Sequence, residues 1–264
     1  MRDVNGFLLE EWGIIGGYDL GRAYPGLEDQ MLVCVTEVIR REEIDYLPSQ
    51  ITFADRTRDK EIHAALGLPA EVTLDEHIQN HMVISLTKHD YPLFYRNDLK
   101  LMRELEAEGI ARVDEEQRVV YDSWGMGVQV GSDGFFACFH PLENQQTDEF
   151  AERWMPARIR EAVTAPTLEE RIRRYTAPDP DQPGIYDWMQ RDIDQHGNRA
   201  FVFPSGYFGV FERAYGLVSI PALLEHMVTA PRLVRELFEK ITDYKLRVTQ
   251  HVLTMDFDAV HCGD

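Results

Sequence analysis

The chain has 264 residues, 44% of them hydrophobic and 28% charged, enough to bury one large core or two small ones and too apolar for a disordered chain. Acidic side chains number 46 against 27 basic ones, and the net charge of −19 disfavours nucleic acid and anionic lipid membranes as partners because both carry the same sign. No run of about 18 apolar residues is present, Met1-Arg2-Asp3-Val4-Asn5-Gly6 lacks the basic start and apolar stretch of a signal peptide, and Cys34, Cys138 and Cys262 form no CxxC pair, so a cytoplasmic protein with reduced thiols is expected.

In chain order, Gly13-Ile14-Ile15-Gly16-Gly17-Tyr18 is glycine-rich but fits neither GxGxxG nor GxxxxGK[ST], which predicts a turn rather than a phosphate cradle. Met31, Val35, Val38 and Ile39 recur at helical spacing over Glu28 to Arg41, giving an N-terminal helical segment over 1–40 ahead of a domain over 41–264. Ser49-Gln50-Ile51-Thr52-Phe53 reads as a strand running into the polar loop Ala54-Asp55-Arg56-Thr57-Arg58. Asp59 to Leu66 reads as a short helix ended by Gly67, with Pro69 two residues on. Thr73-Leu74-Asp75-Glu76 fits a capping box, after which a helix to about Lys88 competes with a buried strand at Met82-Val83-Ile84-Ser85-Leu86. His77 and His81 have a metal-chelating spacing if that helix is continuous, but neither HExxH nor a third ligand accompanies them, and an ordinary helix face is expected.

Asn97 to Gly109 is an amphipathic helix by pattern. Arg118-Val119-Val120-Tyr121, Gly127-Val128-Gln129-Val130 and Phe135-Phe136-Ala137-Cys138-Phe139, separated by turn residues, predict an antiparallel meander with Trp124 packed in it. Glu149 to Arg174 is charged and helical with a break at Pro166. A rigid proline-rich connector, Ala177 to Gly184, leads to a helix over Ile185 to His196. Ala200-Phe201-Val202-Phe203 is a strand stopped by Pro204-Ser205-Gly206. Pro221 opens a helical pattern, and Leu233, Val234, Leu237, Phe238, Ile241, Tyr244, Val248 and Val252 continue one apolar stripe toward a brief strand over Met255 to Val260. Strand, long helix and strand make a βαβ unit, so these two strands should lie parallel with functional groups at their C-terminal ends.

Asp45-Tyr46-Leu47-Pro48 before a strand, Tyr121-Asp122-Ser123-Trp124-Gly125, Ala177-Pro178-Asp179-Pro180, Gly206-Tyr207-Phe208-Gly209 with Gly216, and Phe257 to Asp264 follow one another in an order that resembles the uroporphyrinogen decarboxylase superfamily, which includes cobamide-dependent methyltransferases. The resemblance spans about Met31 to Asp264. It implies an α/β fold of the (β/α)8 TIM-barrel class with an antiparallel meander insertion, here incomplete and truncated after about the fourth strand. Ile51 to Phe53 would be the first strand, the second would lie between Met82 and Tyr95, Ala200 to Phe203 would be the third and Asp256 to Val260 the fourth.

On that template Asp264 and His261 at the fourth strand's tip and His89, beside Asp90 near a strand end, are the catalytic candidates. Arg56, Pro204, Tyr207, Phe208 and Arg213 are the substrate-binding candidates. Arg56-Thr57-Arg58 is RxR where the decarboxylases have RxxxR, and adjacent His261-Cys262 is not the family's spaced zinc set. Loss of the RxxxR pattern shifts what the resemblance implies to a methyltransferase-like activity involving a corrinoid in the complete protein. Porphyrinogen decarboxylation and a non-catalytic half that binds a partner are the alternatives. No cofactor is expected within the chain, zinc and a corrinoid being expected in the complete protein. The expected partners are a small-molecule or tetrapyrrole ligand, a corrinoid protein, and a second copy at the open barrel edge.

Overall fold

A computed structural model of the chain describes residues 18–19, 31–32, 59–78, 80–131, 136–198, 200–206 and 209–262. The chain divides into two units, Met1–Leu47 and Pro48–Asp264. In the first, strands β1 (Tyr18–Asp19) and β2 (Met31–Leu32) pair antiparallel, Tyr18 opposite Leu32 and Asp19 opposite Met31. Met31 was expected to begin the helical stripe of 28–41. It is extended instead, because cross-strand pairing with β1 overrides a weak local periodicity. The predicted first barrel strand, Ile51 to Phe53, lies outside the described residues.

The second unit opens with α1 (Asp59–Ala65) and α2 (Leu74–His77). The capping box before α2 forms as expected: the Thr73 hydroxyl accepts from the Glu76 amide at 3.1 Å while the Glu76 carboxylate accepts from the Thr73 amide at 2.9 Å. The helix nevertheless ends at His77, and Met82–Ser85 is strand β3. The strand alternative at 82–86 holds because the run gains a parallel partner in β7 (Phe201–Gly206), with Met82 opposite Phe201 and Ser85 opposite Pro204. The end of α2 also removes the one-helix-face geometry for His77 and His81.

Helices α3 (Tyr91–Tyr95) and α4 (Leu99–Ala107) lead to a meander of β4 (Arg112–Asp114), β5 (Val119–Tyr121) and β6 (Gly127–Gln129). The meander is antiparallel as expected, with different edges. Arg112–Asp114 supplies a strand where a turn was expected at Asp114, and of the predicted strand at 135–139 the described part contributes one bridge, Gly127 to Phe139. Both faces of β5 are buried. Val119 and Tyr121 enter one apolar cluster and Val120 the other, so the strand shows no alternation of polar and apolar residues.

After the meander come α5 (Asp148–Trp154), a 3₁₀ turn at Ala157–Ile159, α6 (Arg160–Val163), α7 (Leu168–Arg174) and α8 (Asp187–His196). Arg171 ties this region together. Its buried guanidinium has no carboxylate partner among the described residues and donates to the carbonyls of Leu142, Glu143, Ala165 and Pro166 at 2.9–3.1 Å, joining two loops to α7.

β7 continues through Pro204-Ser205-Gly206 instead of stopping there, and α9 (Val210–Val218), α10 (Ile220–Thr229) and the 22-residue α11 (Pro231–Val252) follow. The helical stripe read from the sequence buries Val234, Leu237, Ile241 and Tyr244 in the larger cluster, and Val252 is buried further along the same helix. The strand expected at 255–260 is instead β8 (His261–Cys262), parallel to β7 with Ser205 opposite His261. Asp258 meets β7 just before it, exchanging backbone and carboxylate bonds with Val202. The sheet order β3-β7-β8 contains three parallel strands, an arrangement shared by open α/β sheets and arcs of barrels. Among the described residues no helix is long and apolar enough to cross a membrane.

Candidate functional site

Parallel strands deliver their following loops to one edge of a sheet, and β3 delivers Leu86-Thr87-Lys88-His89-Asp90 there. The loop is fixed by Asp90 N–H donating to the Thr87 carbonyl, by the Thr87 hydroxyl donating to Asp90 Oδ2 at 3.0 Å, and by Lys88 N–H donating to the Ile185 carbonyl at 3.0 Å. Consequently His89 is fully buried and Asp90 nearly so.

The meander brings Asp122. The five residues between β5 and β6 turn tightly around its carboxylate: Oδ1 accepts from the amides of Trp124 and Met126, both at 2.9 Å, and Gly125 at φ 84° supplies the left-handed turn. Asp122 Oδ2 is left to face α9. That helix begins at Gly209, whose amide donates to the Glu212 carboxylate at 3.1 Å, and presents Arg213 one residue later. Gly216 allows this approach, since a Cβ there would lie 2.6 Å from Met126 Cε.

Arg213 Nη2 donates to Asp90 Oδ1 at 2.8 Å, and Nη1 reaches Asp122 Oδ2 at 3.5 Å. Its guanidinium carbon lies 4.5 Å from the centre of the Trp124 ring, a cation–π contact. Trp124 in turn meets Tyr244 edge-on at 4.7 Å. Tyr244, carried by the inner stripe of α11, is 2.8 Å from His89 Nδ1 through its hydroxyl, and Gln182 of the proline-rich connector lies 3.4 Å from His89 Nε2. Five separate parts of the second unit thus meet on one polar cluster.

Burial dominates its electrostatics. Loss of water pushes His89 down to about 4, against the opposing pull of Asp90 and Gln182 and with help from Arg158 and Arg213, so the ring is neutral at physiological pH. Burial pushes Asp122 up to about 6, although Arg213 and the two turn amides favour its charged form. Tyr244 is raised far above the usual phenol range by burial and stays protonated. The cluster therefore holds a neutral imidazole, a phenol and a guanidinium flanked by two carboxyl groups, one of which titrates near neutrality. Such a set can bind an anion at the guanidinium and move a proton at Asp122.

Of the candidates expected from the sequence, His89 and Arg213 come together here through Asp90, and Pro204 lies in β7 opposite Ser85 at the same edge. His261 lies in β8 beside Ser205. Arg56, Tyr207, Phe208 and Asp264 fall outside the described residues. Asp122 and Tyr244 were not singled out as site residues. The Asp-x-x-Gly turn pattern could have flagged Asp122, whereas Tyr244 has no signal beyond its place in an apolar stripe. Among the described residues no group of three or more His, Cys, Asp or Glu side chains is placed to hold a metal ion.

No family model matches the chain, and no solved structure matches it significantly. Curated relatives do. The chain is 62% identical over 45 residues to the probable glycine dehydrogenase (decarboxylating) subunit 1 of Bacillus pumilus, covering 17% of this chain and 10% of that protein. It is 57% identical over 49 residues to the counterpart of Anoxybacillus flavithermus, covering 19% and 11%, and 56% identical over 46 residues to that of Thermomicrobium roseum, covering 17% and 10%. The chain thus spans about a tenth of the length of the curated relatives it matches.

These relatives overturn the resemblance to uroporphyrinogen decarboxylases and cobamide-dependent methyltransferases, and with it the decarboxylase, methyltransferase and porphyrin readings. Short motifs matched in order, with unconstrained sequence between them, carry little weight beside a continuous stretch of this identity. The zinc and corrinoid expected of a complete protein, and the corrinoid-protein partner, rested on that resemblance alone.

Proposed function

We propose that this chain works on glycine, as part of a decarboxylating system of the glycine dehydrogenase type. The observation that carries the reading is the 62% identity over 45 residues with a relative whose name specifies that activity. The polar cluster at the sheet edge supports it chemically. Glycine at neutral pH is a carboxylate and an ammonium separated by one methylene, and the cluster offers a guanidinium beside two carboxyl groups. A buried guanidinium orients a carboxylate in a fork, and Asp90 or Asp122 suits an ammonium at that range.

The test uses the full chain. Calorimetric titration with glycine and with L-valine should show glycine binding and valine failing to bind. Mixing the chain with the complementary subunit of a relative's glycine dehydrogenase should raise release of labelled carbon dioxide from carboxyl-labelled glycine. Absence of both glycine binding and stimulated release overturns the reading.

A further inference from the structure

We propose that the outer face of α10 is where two copies of this chain pair about a two-fold axis, an inference that stands apart from the glycine reading. α10 buries Leu223 in the larger apolar cluster. Ile220, Leu224, Met227 and Val228 recur at helical spacing on its outer face and are 39%, 50%, 42% and 82% exposed. Apolar side chains scattered singly over a surface need no explanation, but a continuous stripe marks a contact. The helix keeps its charged groups off the stripe. The His226 ring lies 2.7 Å from the Ala222 carbonyl of its own helix, and Glu225, rotated about 100° from Leu224, stands at the flank.

The charges at the two ends of the stripe say what covers it. At its start the Ser219 hydroxyl donates to the Glu143 carboxylate, which holds an acid next to Ile220. At its end α11 begins, and Arg232 and Arg235 are exposed there with no ion pair among the described residues. An apolar stripe with an acid at one end and two cations at the other is complementary to itself turned end for end. A two-fold contact between antiparallel α10 helices makes that match: Arg232 of each copy meets the partner's Glu143, and the two stripes cover each other with Leu224 near the axis. An anionic membrane or an acidic helix from another protein would answer the arginines and leave Glu143 against like charge, and the net charge of −19 repels the membrane as a whole. The same net charge opposes the approach of two copies, so the buried apolar area supplies the affinity and the end pairs set the register.

Sedimentation velocity of the full chain over a range of concentrations tests this. The mass should rise from one chain to two and no further. Leu224→Asp puts a charge at the centre of the exposed stripe, should leave circular dichroism unchanged, and should weaken pairing roughly a hundredfold. Arg232→Glu and Glu143→Lys should each weaken it roughly tenfold by setting like charges together. An equal mixture of those two variants should pair as well as the wild type, because each changed side chain then meets its opposite. A chain that stays monomeric at every concentration, or pairing untouched by Leu224→Asp, overturns the proposal. Assemblies that grow beyond two copies overturn the two-fold closure. A mixture that pairs no better than either variant alone overturns the antiparallel register and with it the interface.

Discussion

Arg171 and Arg213 are both buried in the second unit, and their surroundings differ in kind. Arg171 sits where loops meet α7 and donates to four backbone carbonyls, with no carboxylate against it among the described residues. Arg213 sits at the sheet edge between two carboxylates, at 2.8 Å and 3.5 Å, over the Trp124 indole. Carbonyl acceptors cannot titrate and hold a charge permanently. Carboxyl acceptors can be protonated or displaced. Arg171 fastens chain segments, whereas Arg213 joins two carboxyl groups, one of which is pushed up to about 6 by burial.

The largest expected effect separates them directly. Arg213→Met strands Asp90 and Asp122 in the interior and should cost about 3–5 kcal/mol by urea unfolding at pH 7, a loss that shrinks in acid as Asp122 protonates. Arg171→Met leaves carbonyls without donors and should cost about 2–3 kcal/mol, with no such recovery in acid.

Next in size is the pH dependence. His89 is held near 4, below its ordinary 6.5, so its contribution to stability is complete above pH 6.5 and is lost as the pH falls through 4. Asp122 is held near 6, above its ordinary 3.8, so its contribution is complete below pH 3.8 and is lost as the pH rises through 6. Between these limits the two oppose each other. Removing one exposes the other: Asp122→Asn should lose about 3 kcal/mol relative to wild type on going from pH 6.5 to pH 4, and His89→Gln should gain a similar amount. Flat difference curves would show that neither group is held as described.

A smaller effect probes the turn that carries Asp122. Gly125→Ala must adopt φ near 84° and place a Cβ 2.6 Å from Ile159 Cδ1, and should cost about 1–3 kcal/mol. Gly216→Ala meets the flexible end of Met126 instead and should cost about 1 kcal/mol, with Met126→Ala restoring part of it.

Local features were legible in the sequence and long-range ones were not. The Thr73 capping box, the helix before Gly67, the meander and the stripe of α11 all follow from patterns within a few residues, and the structure contains them. The parallel pairing of β7 with β8 followed from the βαβ pattern, although the second strand forms a few residues late. Where periodicity failed, pairing decided: Met31 and Met82 to Ser85 are extended because a partner strand lies alongside. In the candidate site, the adjacency of His89 and Asp90 is visible in the sequence, and the structure places both in the loop after β3. Arg213 was reached through a resemblance that the relatives contradict, and its burial between Asp90 and Asp122 joins residues 123 and 91 positions apart. Tyr244 meets His89 across 155 positions. No local pattern encodes such contacts.

An NMR titration of the Asp122 side-chain carboxyl tests the contrast between the two arginines most directly. The midpoint should fall near 6, and it should move higher in Arg213→Met because the guanidinium favours the charged form. A midpoint at the ordinary 3.8, unmoved by Arg213→Met, would contradict it.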